Sequence, residues 1–334
     1  MIPYIHVPDL KLGPATLHPF GLLVATGVII GTALATSRAR RLGVDLDRLN
    51  SFITWMLVAG FIGGHMLDEI FYHPKEIAER WYSLFMLWEG LSSFGGFTGA
   101  LIGVLMWKYF DLVPTVHIGP WSLPFFRRRA RPQAILPLCD VILAVFPVAW
   151  IFGRSGCSTV HDHPGTLLRD VKDPLHGALA VAYGPLHQNP DSWVATRTQF
   201  GPIQFLVGHD PRFDLGALEL MFTCVLALCI ALTWRKKLAT GTYIVVTSLA
   251  YAPVRFAMDF LRIPEGESES ADLRYGGLTP AQWECVALFV FGIAMLFYVR
   301  SLKKRGIDPM DDVMAAPTPD PRDGPLPNPR TARS

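Results

Sequence analysis

Long apolar runs broken by short, arginine-bearing polar stretches set the pattern of this chain. Seven of them approach or reach the length needed to cross about 30 Å of hydrocarbon at the helical rise. They run from about Leu17 to Thr36, Ser51 to Tyr72, Ser92 to Trp107, Ala134 to Phe152, Leu215 to Trp234, Thr240 to Phe260 and Pro280 to Val299. The pattern predicts an all-α, polytopic membrane protein with about seven transmembrane helices. The second run ends in Gly63-Gly64-His65-Met66-Leu67-Asp68-Glu69, too polar for lipid, so these residues are expected to face protein and position helices. One long polar insertion, about 155–214, separates the fourth and fifth runs and reads as a small extramembrane subdomain. Residues 1–305 therefore form the membrane domain, and the proline-rich stretch 306–334 reads as a disordered cytoplasmic tail.

The basic residues orient these runs. Arg38, Arg40, Arg41 and Arg48 follow the first; Lys108, Arg127, Arg128, Arg129 and Arg131 follow the third. Arg235, Lys236 and Lys237 follow the fifth, and Arg300, Lys303, Lys304 and Arg305 follow the seventh. Basic loops mark the cytoplasmic side, which places the N-terminus outside and the C-terminus inside. Residues 1–16 lack the basic start and cleavage site of a secretory leader, so the first run is expected to stay as an anchor.

Composition agrees with a membrane protein. A 51% hydrophobic, 17% charged chain with mean hydropathy +0.31 lies outside the range of soluble domains. The net charge of +2 gives no reason to expect a nucleic-acid partner. Four of the five cysteines, Cys139, Cys157, Cys224, Cys229 and Cys285, fall within predicted spans, which argues against a disulfide framework and a paired-ligand zinc site.

Charged residues at span ends carry the candidate chemistry. In Gly153-Arg154-Ser155-Gly156-Cys157, Arg154 stands where the fourth apolar run gives way to a polar loop. A charge near hydrocarbon costs roughly 2.5–3.5 kcal/mol and asks for an anionic partner. Arg255, Asp259 and Arg262 follow one another at i, i+4 and i+7 and share a helix face. They read either as an ion pair that fixes packing or, with two arginines to one carboxylate, as part of a phosphate site, since guanidinium binds phosphate bidentately. Gly95 and Gly96 open the third run and suit either close helix packing or amide contact with an anion. His161 and His163 flank Asp162 just after Arg154 and read either as an ordinary polar loop or as proton acceptors. A metal site from these three neighbours is not expected, because residues so close in sequence rarely make a closed set.

Together these motifs resemble the bacterial prolipoprotein diacylglyceryl transferases. The resemblance rests on Gly153-Arg154-x-Gly156, Gly95-Gly96, Arg255-x-x-x-Asp259-Phe260-x-Arg262 and Gly276-Gly277-Leu278-Thr279-x-x-Gln282, with Asp140 and Pro147, and covers about residues 19–298. It implies an inner-membrane enzyme that moves the diacylglyceryl group of phosphatidylglycerol to the lipobox cysteine thiol of a prolipoprotein signal peptide and releases glycerol phosphate. The active site would face the periplasm, with no cofactor and no metal. Arg154, Arg255 and Asp259 would be catalytic; His161 and His163 are candidates for the base from their place just after Arg154, not from the resemblance. Gly95, Gly96, Gly156, Glu219, Arg262 and Gln282, together with Arg154, would hold the substrate.

Departures mark a divergent member. Phe94 stands where the family usually has His or Tyr before the two glycines, and Phe20 where it commonly has Tyr. Cys157 replaces the Asn after Arg-x-Gly, Asp259 shortens the usual Glu, and Phe213 to Glu219 keeps only its final Glu. The alternative reading is a catalytically silent or acceptor-shifted relative that binds phospholipid or lipoprotein.

Overall fold

The computed structural model describes residues 1–12, 15–86, 90–118, 121–168, 174–186, 196–264 and 273–314. Ten α-helices are described: α1 (Pro19–Leu42), α2 (Leu46–Tyr72), α3 (Pro74–Glu79), α4 (Ser93–Tyr109), α5 (Leu136–Leu143), α6 (Phe146–Val160), α7 (Pro174–Leu179), α8 (Leu215–Ala231), α9 (Thr242–Met258) and α10 (Pro280–Arg305). Four of them, α1, α2, α10 and α9 with its 3₁₀ extension to Leu261, are long and apolar enough to cross a membrane. The pair α5 and α6 makes a fifth candidate, bent by 52°. Pro147 explains that break, because it carries no N–H and its ring crowds the preceding turn.

Local sequence sets the helix ends. Pro19 opens α1 and Gly43, at φ 74°, closes it in the left-handed conformation that favours glycine. Thr279 and Gln282 exchange side-chain and backbone bonds in a capping box that starts α10. Several helices outlast their apolar runs: α1 continues to Leu42, α10 to Arg305, and α6 to Val160. Arg154 is therefore inside a helix rather than at the start of a loop. The run fades at Phe152 because the last turns of α6 face protein, where small and polar residues replace lipid-facing ones.

The all-α expectation is corrected by β-structure. A six-stranded sheet has the order β6-β10-β7-β1-β9-β8, from β6 (Pro164–Leu167), β10 (Asp210–Asp214), β7 (Ala180–Tyr183), β1 (Ile2–His6), β9 (Ile203–Val207) and β8 (Thr196–Phe200). The insertion thus folds on the N-terminal strand, which runs parallel to β7 through Ile2 and Val181 and antiparallel to β9. Tyr4, Val181, Tyr183 and Leu206 form its core. Two hairpins are separate from this sheet: β2 (Leu10–Leu12) with β3 (Ala15–Leu17), and β4 (Phe110–Ile118) with β5 (Trp121–Arg128), the second in place of a simple loop.

Two helix pairs frame the membrane part. α2 and α4 approach so closely that a Cβ on Gly63 would lie 2.6 Å from Gly99 Cα. α1 and α6 run antiparallel: Phe20 covers Gly156 at one end, while Gly27 backs onto Ala149 further along. The main apolar core, including Leu49, Phe52, Trp107, Leu138 and Val141, lies at the end away from the sheet. Most of the expected disordered tail lies outside the described residues, but its first part is ordered: Val313 is buried in that core and Met314 bridges Val44.

Candidate active site

Glu219, in the second turn of α8, is the hub of the charged cluster. Arg154 Nε stands 2.9 Å from Glu219 Oε1, and Arg255 Nε stands 3.4 Å from Oε2. The Tyr251 hydroxyl and the Trp150 indole N–H donate to Oε1 at 2.5 and 3.2 Å. Arg255 Nη1 and Arg262 Nε both donate to Asp259 Oδ1, at 2.6 and 2.7 Å, and the Thr279 hydroxyl donates to Oδ2. Gln282, fully buried, accepts from the Thr279 N–H through Oε1 and donates its own backbone N–H to the Thr279 hydroxyl oxygen at 3.2 Å, which fixes that hydroxyl. Three guanidinium groups therefore share two carboxylates within ion-pair distance.

Arg154 is the least satisfied member. It is 1% exposed, and its guanidinium carbon lies 4.7 Å from the centre of the Trp150 ring. Nη1 makes a 3.6 Å contact with Cys157 Sγ, while Nε and Nη2 have no hydrogen-bond partner among the described residues. Buried N–H groups without acceptors are costly, about 1–3 kcal/mol each and more for a charged group. Such a group is stabilised by an anion with several oxygens.

The aromatic supports escaped the sequence reading, although a signal was present. Trp150 precedes Arg154 by four residues and Tyr251 precedes Arg255 by four, so each aromatic shares its arginine's helix face. Glu219 was expected to support the site from behind or to position substrate; its place between both arginines depends on the packing of α8 against α6 and α9, which no local pattern encodes.

The glycines of α4 serve packing. Gly95 N–H donates to Ser92 Oγ at 3.1 Å and Gly96 N–H to Ser92 O at 2.9 Å, so both amides are already used at the helix start. Gly95 also packs against the Gly63 and Gly64 backbone of α2. Gly156 is fixed by contact, since a Cβ there would sit 2.8 Å from Phe20. Phe94 packs edge-on against Phe71 with ring centres 5.3 Å apart. His65 and Glu69 bind the Ser83 region: His65 Nε2 lies 2.8 Å from Ser83 O, and Ser83 Oγ donates to Glu69.

His161 and His163 have different surroundings. His161 closes α6 with φ 52° and is held on both ring nitrogens, Nδ1 by the Asp214 carboxylate and Nε2 by Ile5 O at 3.1 Å. Its ring stacks on Tyr4 at 3.8 Å, and Tyr183 donates to the same Asp214 oxygen at 2.9 Å. Burial and the Asp214 charge push the Tyr4 hydroxyl up to about 12. This clasp joins the N-terminal strand to the ends of α6 and α8.

His163 is partly exposed, with Nδ1 2.9 Å from Asp162 Oδ1. Burial raises the Asp162 carboxyl, but the adjacent His163 ring, with the charges of Arg154 and Arg262, outweighs it and holds the group below its usual range. Ligand-type atoms of Cys157, Asp162 and His163 all lie within 4.8 Å of one another. The fixed charge of Arg154, 3.6 Å from that sulfur, opposes a cation there.

Comparison with known proteins decides the family. The sequence model described as prolipoprotein diacylglyceryl transferase matches residues 9–298. The chain belongs to the prolipoprotein diacylglyceryl transferase family. It is 27% identical over 311 residues to a phosphatidylglycerol–prolipoprotein diacylglyceryl transferase of Nitrobacter winogradskyi, covering 90% of each chain. A protein of the same description from Chromohalobacter salexigens is 25% identical, covering 93% of this chain and 96% of its own. One from Xylella fastidiosa is 24% identical, covering 88% and 93%. The bent helix pair, the arginine–glutamate cluster and every strand of the six-stranded sheet except β1 lie within the residues matched to the prolipoprotein diacylglyceryl transferases.

Proposed function

We propose that this protein transfers the diacylglyceryl group of phosphatidylglycerol to the cysteine thiol of a prolipoprotein. The observation that carries this reading is Arg154, buried beside Glu219 with unspent N–H donors. A phosphodiester at that position accepts from the guanidinium edge, with Arg255 close by through the same carboxylate. In the reaction, the lipobox thiol sulfur attacks the sp³ glycerol carbon that carries the phosphate. The C–S bond forms, the C–O bond breaks with its electron pair on oxygen, and glycerol phosphate leaves. Preorganised cations that meet the developing charge in a dry site lower the barrier without reorganisation.

His163, oriented by Asp162, takes the thiol proton in this account. It borders the clamp through Cys157 and, unlike His161, is not clasped on both nitrogens. Asp259 and Glu219 hold the arginines in place, and Arg262, Thr279 and Gln282 hold Asp259.

Seven crossings follow when α4 and α8, each of 17 residues, are counted with the four long helices and the bent pair. The alternating basic loops support an outer N-terminus, with the sheet and the active site on the periplasmic side of the inner membrane. Expression in cells depleted of their own transferase tests the function: a model prolipoprotein should gain the mass of one diacylglyceryl group. Growth without that mass gain contradicts it.

A further inference from the structure

Arg38 lies about 27 Å beyond Phe20 along α1, at the end of the bundle opposite the Arg154 cluster. It is 7% exposed, its buried Nε has no hydrogen-bond partner among the described residues, and the nearby Asp140 acts on it through charge, with no hydrogen bond or ion pair between them. Its guanidinium carbon lies 4.6 Å from the centre of the Tyr243 ring and 5.2 Å from that of Trp234, and stacking of this kind leaves N–H groups of a guanidinium for an anion. Asp140, on α5, spends a carboxylate oxygen on the Tyr243 and Ile244 N–H groups instead, at 2.8 and 3.3 Å. A second arginine, the exposed Arg41, reaches over the same Trp234 ring at 5.9 Å.

Trp234 also lines an apolar groove of about 160 Å³, open to the outside, between α1, the α5–α6 bend and α8 with its Ala231. The bend makes the groove: Ala144, Val145 and Pro147 line it where the helix breaks, facing Leu34 and Ile230. An apolar void of this size stays dry and takes an apolar guest. In a bilayer, the apolar chain available at that depth is an acyl chain. Buried basic residues between spans are recognised sites for anionic headgroups.

We propose that this end of the bundle binds an anionic glycerophospholipid, one acyl chain in the groove and the phosphate on Arg38, with Arg41 at the rim. The site belongs to the leaflet opposite the transferase site and does not depend on the transfer chemistry.

Native mass spectrometry of the full chain in detergent tests it, with phosphatidylglycerol or phosphatidylcholine of the same acyl chains, or inorganic phosphate alone. The wild type should retain one phosphatidylglycerol more than either Arg38→Gln, which removes the charge, or Ala231→Phe, which fills the groove and leaves Arg38 intact. Retention at that site should weaken at least about fivefold in each. Phosphatidylcholine should not replace the lost lipid, and phosphate should not displace it. Undiminished phosphatidylglycerol retention by a folded Ala231→Phe protein would overturn the proposal. So would equal retention of phosphatidylcholine, or displacement by inorganic phosphate, which would mean a free-anion site.

Discussion

Arg154 and Arg255 meet on a single carboxylate, Glu219, which lies 2.9 Å from one and 3.4 Å from the other. The carboxylate holds two like charges at fixed positions while leaving donor atoms of Arg154 unspent, so the positive site exists before the lipid arrives. In the proposed reaction, electrostatic preorganisation of this kind would act on the departing phosphate rather than on the ground state.

Replacing Arg154 by Lys tests the clamp. The ammonium keeps the charge but cannot both stack on Trp150 and present a planar fork. Transfer should fall roughly 100-fold, the scale of losing one preorganised donor, while membrane abundance stays near wild type. Near-normal transfer by Arg154→Lys would make Arg154 a packing residue.

The Arg255 and Asp259 pair separates stability from chemistry. Arg255→Gln leaves Asp259 to Arg262 and Thr279, and Asp259→Asn leaves Arg255 to Glu219, so each should cost less than the ~3–5 kcal/mol of breaking an isolated buried pair. In the double variant, abundance in the membrane should recover and transfer should stay lost. Recovery of both in the same quantitative immunoblot and lipidation assay would make the pair purely structural.

The helices were legible because lipid imposes long apolar runs, and Arg154, Arg255, Asp259 and Arg262 were legible because charge inside such runs is rare. The sheet was not. Its strands are 4 or 5 residues long, and the central strand β1 pairs with β7 and β9 from far along the chain, as Ile2 does with Val181, so no local pattern announces the sheet. Its tie to the helices, His161 on Asp214, joins residues whose spacing carries no periodicity. The helix ends were misjudged where apolar character and helical structure part, as in α6 beyond Phe152.

The two histidines should respond in opposite ways. His161→Asn tolerates the left-handed conformation but breaks the Asp214 clasp. It should lower the thermal midpoint, with transfer per folded molecule largely kept. His163→Asn should leave the midpoint within a degree or two and lower transfer about 100-fold, with the greatest loss below the thiol's own pKa. The reverse pattern in a paired thermal-shift and activity measurement would move the base to His161.

The basic loops give the topology test. In a cysteine-free background, single cysteines in 201–208, between or within the outer strands, should react with an impermeant maleimide on intact cells. Cysteines placed at 127–131 should react only after permeabilisation. Labelling of 127–131 from outside would invert the orientation, and with it the side on which the Arg154 cluster opens.

The central claim is best tested with purified protein, phosphatidylglycerol labelled in its headgroup, and a signal peptide carrying one lipobox cysteine. The account predicts that the peptide gains one diacylglyceryl group on sulfur while labelled glycerol phosphate is released in equal amount, and that Arg154→Lys suppresses both together. Lipid bound by the protein with neither product formed, or peptide modified without glycerol phosphate release, would contradict it.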